Sequence, residues 1–278
     1  MPKERHHLLL ADEALQSLTC SQALRSFSPR EKAAYRLGTL WPDHLFYDLP
    51  TFTMKRVGRA LHVLERPDGF ERLKRWMRDQ EGLSGAAEAW VLGLACHFLA
   101  DRFWHPLINR LSRPPFGPCA AVGLPAGECH HFIESGLEAI WLERRGPRDG
   151  YLTLLAKLPT EGTLIDEIIR LFHSLLEALE APILPRPHRI KRCLWWQNRL
   201  TRLFAHPLLA TKKRLLLRHR STQPLGALVV PDLSEIHGTT GGGAECLASL
   251  GTLVDPAFFN ETVKTSASLL LELPGRWR

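Results

Sequence analysis

The chain lacks any apolar run of about 18 residues, the length that a membrane-spanning helix needs. It also lacks a Cys-x-x-Cys pair, and its 6 cysteines are scattered along 278 residues, which is typical of reduced thiols rather than of a disulfide framework. A G-x-S-x-G elbow, a Walker loop and a Rossmann glycine fingerprint are absent too. These absences argue against serine hydrolase, nucleotide hydrolase and dinucleotide chemistry. We expect a cytoplasmic protein that is at most peripheral to a membrane.

Alternating apolar and polar residues, the mark of half-buried strands, are not evident, and the first half of the sequence reads as helices. Helical periodicity predicts helices over 8–25, 29–37, 53–65, 69–79, 84–104, 128–145, 163–180 and 260–272. Proline interrupts this pattern twice. Pro42 indicates a helix-breaking stretch around Gly38–Asp43, and the prolines after Arg113 predict a long loop over 112–127.

The most informative stretch that is present lies within residues 94–108. It places His97, Asp101 and His105 at intervals of four residues among apolar and aromatic neighbours. On an α-helix this spacing puts the three side chains on one face. Burial of such groups without partners is costly, and imidazole with carboxylate is a ligand set that suits zinc. The alternative for a lone His-x-x-x-Asp pair is a hydrogen-bonded pair in the core.

Further ligand-type residues occur in a few other places. His130 and Glu134 repeat the helical spacing, Asp43 follows Pro42, His62 lies in a predicted helix, and His7 precedes an apolar helix. Taken alone, His7 or His62 is equally well explained as an ordinary core or surface histidine. Eight such residues together are enough for more than one zinc ion at three or four protein ligands each. The candidate metal ligands are His7, Asp43, His62, His97, Asp101, His105, His130 and Glu134.

The order of these residues resembles that of the zinc-dependent phospholipase C family, which shares an all-α fold with S1/P1-type nucleases. The likeness rests on PKERHHLLLA, GTLWPD, HFLADRFWHP and HHFIE, and it covers roughly residues 1–145. HFLADRFWHP with HHFIE is its most specific part. The resemblance implies a multi-helix phospholipase C/P1 nuclease-like bundle that binds two or three zinc ions.

The resemblance also implies roles for the candidate residues. His62, His97 and Asp101 would hold a pair of metals, with Asp101 bridging and His7 completing the pair. A separate zinc would be held by His105, His130 and Glu134. Asp43 would bind a metal or act as the general base, and His6 is the alternative to His7 at the N-terminal position.

Zinc bound to this set favours hydrolysis of a phosphodiester by metal-activated water, and the resemblance implies a phospholipase C-type reaction on a phospholipid. Two alternatives stay open at this point. A nuclease would use the same metals on a nucleic-acid backbone. A non-catalytic module would use zinc for structure and bind a membrane or another partner.

The charge is unevenly distributed and suggests a second part of the chain. Residues 188–220 contain ten Arg and Lys and no acid, and APILPRP at 181–187 is a stiff break before them. We therefore predict a phospholipase C-like helical domain over 1–180 and a basic helical C-terminal extension and tail over 181–278. Trp195 and Trp196 among the arginines are typical of a helix that contacts an anionic membrane or nucleic acid. Packing of these aromatics on residues 163–180 is the alternative, which we favour for the aromatics themselves.

Overall fold

The computed structural model confirms the all-α prediction for the part of the chain that it describes. Its helices and their bounds are α1 Glu4–Cys20, α2 Pro29–His44, α3 Lys55–Leu61, α4 Pro67–Arg78, α5 Gly85–Leu111, α6 Gly162–Ala178, α7 Pro187–Ala205 and α8 Pro256–Leu270, with 3-10 turns at Leu45–Tyr47 and His62–Glu65. The described residues are 4–49, 51, 53–113, 130, 133, 134, 136–138, 140, 141, 144, 162–181, 183–205 and 255–275. None of them forms a strand.

Two boundary predictions are wrong in the same way, because helices continue through prolines. α2 runs to His44 and contains Pro42, and α5 runs to Leu111 and contains Pro106. The stretch around Pro42 is therefore helical rather than helix-breaking. A proline in a helix interior costs about 3 kcal/mol, and tertiary packing offsets that cost since Leu40 and Trp41 are fully buried. The predicted loop over 112–127 lies mostly outside the described residues.

The other helices differ from the predictions mainly at their ends. α1 begins at Glu4 and ends at Cys20, so the first prediction was shifted towards the C-terminus. The single helix expected over 53–65 is divided into α3 and the 3-10 turn His62–Glu65. α2 begins as the sequence indicates, since Ser28 forms a capping box with Glu31 and Pro29 occupies the first turn.

The chain divides into two compact units that alternate along the sequence. The first unit comprises Met1–His6, Phe103–Tyr151 and Arg199–Asn260, and the second comprises His7–Arg102, Leu152–Asn198 and Glu261–Arg278. The boundary expected at residue 181 stays a prediction. In the described part of the chain, no helix is both long enough and apolar enough to cross a bilayer.

The core of the second unit brings α2 and α5 into direct backbone contact. A Cβ at Gly38 would lie 2.0 Å from the carbonyl oxygen of Trp90, and a Cβ at Gly93 would lie 1.8 Å from that of Tyr35. Only glycine fits such an approach. Trp41 packs edge-on against Trp90, with ring centroids 5.3 Å apart. The contact fixes the register in which α2 and α5 present their polar residues to each other.

α7 is attached to the rest of the second unit by a buried carboxylate. Asp48 is fully buried and accepts hydrogen bonds from the hydroxyls of Thr51 and Thr53, from the amide of Met54 and from the guanidinium of Arg192. Burial alone would raise the pKa of Asp48, but these hydrogen bonds outweigh it and lower the pKa to about 2. The carboxylate stays charged and holds α7 through Arg192.

The aromatic residues of α7 do not all pack inward. The side of α7 that faces the unit carries Ile190, Cys193 and Leu194, which are buried. Trp195 is 48% exposed, so the expectation that the aromatics dock into the core is wrong for this residue.

Candidate metal centres

The second unit gathers six ligand-type side chains from four elements. α1 supplies His7, α2 supplies Asp43, the 3-10 turn supplies His62 and Glu65, and α5 supplies His97 and Asp101. The ligand atoms of two groups each lie within 4.8 Å of one another: His7 with Asp43 and His97, and His62 with Glu65 and Asp101. All five residues that the sequence nominates for this unit are thus brought together.

Asp101 lies at the junction of these two groups. Its Oδ1 is 3.2 Å from Nε2 of His7, and its Oδ2 is 3.2 Å from Nε2 of His97 and 3.8 Å from Nδ1 of His62. Two ligand atoms of one tetrahedral zinc ion, each about 2.1 Å from the metal, would be separated by about 3.4 Å. The spacing around Asp101 therefore fits a carboxylate that is shared by metal ions.

The orientation of His97 indicates that a cation belongs between its ring and Asp101. Nδ1 of His97 lies 2.8 Å from the carbonyl oxygen of Thr39. A carbonyl only accepts, so the hydrogen is on Nδ1, and the Nε2 lone pair faces a carboxylate oxygen. Two lone pairs at 3.2 Å repel each other, and a metal ion between them would remove that repulsion. A backbone carbonyl that fixes the tautomer in this way is a common arrangement around metal-binding histidines.

Burial favours the neutral, metal-binding form of His7. Desolvation lowers the pKa of His7 and the nearby His97 ring lowers it further, although Asp101 acts in the opposite direction. The His7 and His97 rings are stacked, with centroids 4.1 Å apart. Zinc binds imidazole through a free lone pair, so this environment suits a ligand better than an ion-paired imidazolium.

The six ligand-type side chains of the second unit are here called the second-unit cluster. Their solvent exposure divides them into a buried part, the dry end, and a partly exposed part, the wet end. His7, Asp43, His97 and Asp101 are between 0% and 3% exposed. The side chains of His62 and Glu65 are 24% and 18% exposed. Solvent therefore reaches the cluster from the side of His62 and Glu65.

Glu65 is the residue that the sequence analysis missed. Its Oε1 lies 2.5 Å from Nδ1 of His62, on the same 3-10 turn. The signal was present as the spacing His62-x-x-Glu65, which places two side chains on the same side of a helical turn. A Glu next to Arg66 in the sequence is also typical of an ordinary surface charge.

The first unit contains the remaining three candidates. Nε2 of His130 lies 2.8 Å and Nε2 of His105 lies 3.7 Å from the same oxygen, Oε1 of Glu134. Glu134 is buried, while the side chains of His105 and His130 are 15% and 22% exposed. Two imidazoles and a buried carboxylate form a set that could hold one zinc ion with three protein ligands.

His6, the alternative to His7, has different surroundings. Its ring packs edge-on against Trp104 and Phe259 in the first unit, with centroids 4.8 Å and 6.2 Å away. His6 is not part of either metal-type group in the second unit. The contacts favour His7 as the N-terminal ligand candidate.

Comparison with known proteins agrees with the chemistry of these side chains. A family model described as zinc dependent phospholipase C matches residues 6–180, well over half of the chain and the whole stretch that contains the candidate ligands. No curated protein and no solved structure matches the chain.

Proposed function

The chain belongs to the zinc-dependent phospholipase C family, and we propose that it is an active phosphodiesterase that hydrolyses phospholipids at the zinc sites described above. Its family makes zinc the expected metal and a phospholipid or other phosphodiester the expected substrate. The observation that carries the proposal is the convergence of ligand-type side chains around Asp101, whose two carboxylate oxygens lie 3.2 Å from Nε2 of His7 and 3.2 Å from Nε2 of His97, because such a set suits the zinc that the family implies.

We propose three zinc ions, two in the second unit and one in the first. His7, Asp43 and His97 form the buried group, and His62 and Glu65 form the solvent-facing group, with Asp101 shared. Zinc, when bound, neutralises phosphate oxygens and lowers the pKa of the attacking water. The chain contributes a fixed set of neutral imidazoles and carboxylates, and α2 and α5 hold that set in place through the glycine contact.

The burial of Asp43 argues for a ligand rather than a freely accessible base. It is 1% exposed and lies with His7 and His97 inside the dry end of the cluster. A general base must reach the attacking water directly or through one further water, which is easier at the wet end.

Measurement of zinc together with turnover tests the proposal. We expect about three zinc ions per purified chain and chelator-sensitive hydrolysis of both bis(p-nitrophenyl) phosphate and phosphatidylcholine in mixed micelles. Full zinc occupancy without turnover on any phosphodiester would contradict it and favour a structural role for the metal. Cleavage of single-stranded DNA in preference to lipid would instead identify a nuclease.

The variant Asp43→Asn separates its two roles. A ligand role predicts loss of zinc and of turnover together. A role as base predicts full zinc content with turnover lost. Asp79→Asn, which changes an exposed carboxylate at the end of α4, is the matched control and should alter neither quantity.

A further inference from the structure

Exposed large apolar side chains are concentrated in one short segment. Among the described residues they are Ile183, Leu184, Trp195 and Phe258, with exposures of 41%, 46%, 48% and 37%. Three of the four lie within residues 183–195, at the start of α7 and just before it. Single exposed apolar residues are ordinary, whereas a group of them marks an interaction surface.

α7 shows a clear inner and outer face. Ile190, Cys193 and Leu194 are buried against the second unit. His188, Lys191 and Trp195 are exposed and recur every three or four residues, so they lie along one outward face of the helix. The Trp195 ring meets that of Trp196 edge-on at 4.8 Å, which orders a bulky aromatic at the surface.

The same segment is positively charged. Residues 181–205 contain six Arg and Lys and no Asp or Glu. Two of the cations have acidic partners in the second unit, since Arg192 binds the buried Asp48 and Lys191 lies 2.7 Å from the exposed Asp166. Arg192 anchors the helix, while Arg186 and His188 remain exposed on the outer side.

We propose that the surface formed by Ile183, Leu184, Arg186, His188, Lys191 and Trp195, here called the α7 surface, adsorbs to anionic phospholipid bilayers. Trp favours the boundary between headgroups and acyl chains, and cations are attracted to the negative surface of such bilayers. A helix with one basic, aromatic side and one docked side is suited to lying in that boundary.

The aliphatic residues favour lipid over nucleic acid. Trp195 and the cations would serve either partner, because bases stack on aromatic rings and phosphates attract Arg. Ile183 and Leu184 are nearly half exposed and have no favourable role against a nucleic-acid backbone. In a bilayer they are removed from water, which is stabilising in proportion to their apolar area.

Vesicle co-sedimentation of the full-length, zinc-loaded protein tests the assignment. We expect binding to vesicles of equal parts phosphatidylcholine and phosphatidylglycerol, weaker binding to phosphatidylcholine alone, and loss of part of the binding in high salt. Trp195→Ala should weaken partitioning about tenfold, since roughly half of an aromatic surface is no longer available for burial. Phe258→Ala is the matched control, an exposed aromatic in the first unit, and should leave partitioning within about twofold of the wild type.

A second pair of variants tests the electrostatic part. Arg186→Glu should lower partitioning into the mixed vesicles about fivefold or more, whereas Arg75→Glu on the exposed side of α4 should change it much less. Equal partitioning of Trp195→Ala and the wild type would overturn the proposal, as would wild-type binding that does not respond to phosphatidylglycerol. Tighter, Trp195-dependent binding to a single-stranded oligonucleotide would overturn it in favour of nucleic acid.

This assay is independent of the proposed catalytic function. Hydrolysis of the soluble bis(p-nitrophenyl) phosphate should be the same for the wild type and Trp195→Ala, and this shows that the variant is folded. Adsorption without turnover would contradict the enzyme proposal alone. Turnover on the soluble substrate without adsorption would contradict the α7 surface alone.

Discussion

Replacement of Asp101 by Asn is expected to change stability in opposite directions with and without zinc. In the metal-free protein the Nε2 lone pair of His97 faces a carboxylate oxygen of Asp101 at 3.2 Å, because Nδ1 donates to Thr39. The Asn amide is nearly isosteric with the carboxylate and carries N–H donors. One of these can donate to His97, so an unfavourable contact becomes a hydrogen bond.

The magnitude follows from the two states. A buried hydrogen bond contributes about 0.5–1.5 kcal/mol, and removal of an opposed charge adds to it, so the metal-free variant should be about 1–2 kcal/mol more stable than the wild type. A ligand at a thousandfold excess over its Kd stabilises the folded protein by about 4 kcal/mol. The Asp101→Asn variant loses this stabilisation by zinc at the second-unit cluster. After its advantage of about 1–2 kcal/mol in the metal-free state is subtracted, the wild type should be more stable than the variant in zinc by about 2–3 kcal/mol.

Urea unfolding followed by circular dichroism, in chelator and in zinc, measures both differences, and elemental analysis gives zinc per chain. Asp79→Asn, at an exposed position, is expected to behave like the wild type in both buffers. A metal-free Asp101→Asn protein that is less stable than the wild type would refute the reasoning, since it would mean that an imidazolium–carboxylate pair occupies this position. Unchanged zinc content would show that Asp101 is not a ligand.

Three further changes test other parts of the structure. Glu65→Gln should weaken zinc binding by about tenfold or more, measured by competition with a chelator, and unchanged affinity would make Glu65 a non-ligand. Gly38→Ala should destabilise the fold by about 3 kcal/mol or more and lower the zinc content, because its methyl group would collide with the Trp90 carbonyl. A Gly38→Ala protein that is as stable to urea unfolding as the wild type would show that α2 and α5 are farther apart. The Arg25 guanidinium and the capping-box hydrogen bonds lower the pKa of Glu31 from 4.5 to about 2, so this carboxylate stabilises the fold above pH 4.5 and the contribution is lost as the pH falls towards 2. The wild type should exceed Glu31→Gln by about 1–2 kcal/mol near neutral pH, discounted because Arg25 is partly exposed, and the two should converge in acid when urea unfolding is followed across that range.

The sequence could predict the ligand helix because its spacing is local information. His97 and Asp101 are four residues apart, and four residues correspond to about one helical turn in any context. The same reasoning predicts the pair His130 and Glu134. The assignment of these residues to metals stays a prediction, although the structure places the ligand atoms of each pair close together, 3.2 Å apart for His97 and Asp101 and 2.8 Å apart for His130 and Glu134.

The continuation of α2 past Pro42 could not be predicted from local rules. Those rules end a helix before proline because the ring removes a hydrogen bond and crowds the preceding turn. In the folded chain the last turns of α2 are buried, and Gly38 lets α2 lie directly on the backbone of α5. Long-range packing of this kind is invisible to a rule that considers a few neighbouring residues.

That failure concerns the end of α2, the segment that carries Asp43. α2 supplies the Thr39 carbonyl that accepts a hydrogen bond from His97 and, about one turn later, Asp43. Had α2 ended before Pro42, the same helix would not position both groups. Because α2 continues, one rigid element both fixes the tautomer of His97 and delivers the carboxylate of Asp43 to the same buried group. The proline that argued against a helix in the sequence thus lies inside the element that organises the cluster, and the cost of that proline is offset where Trp41 packs against Trp90.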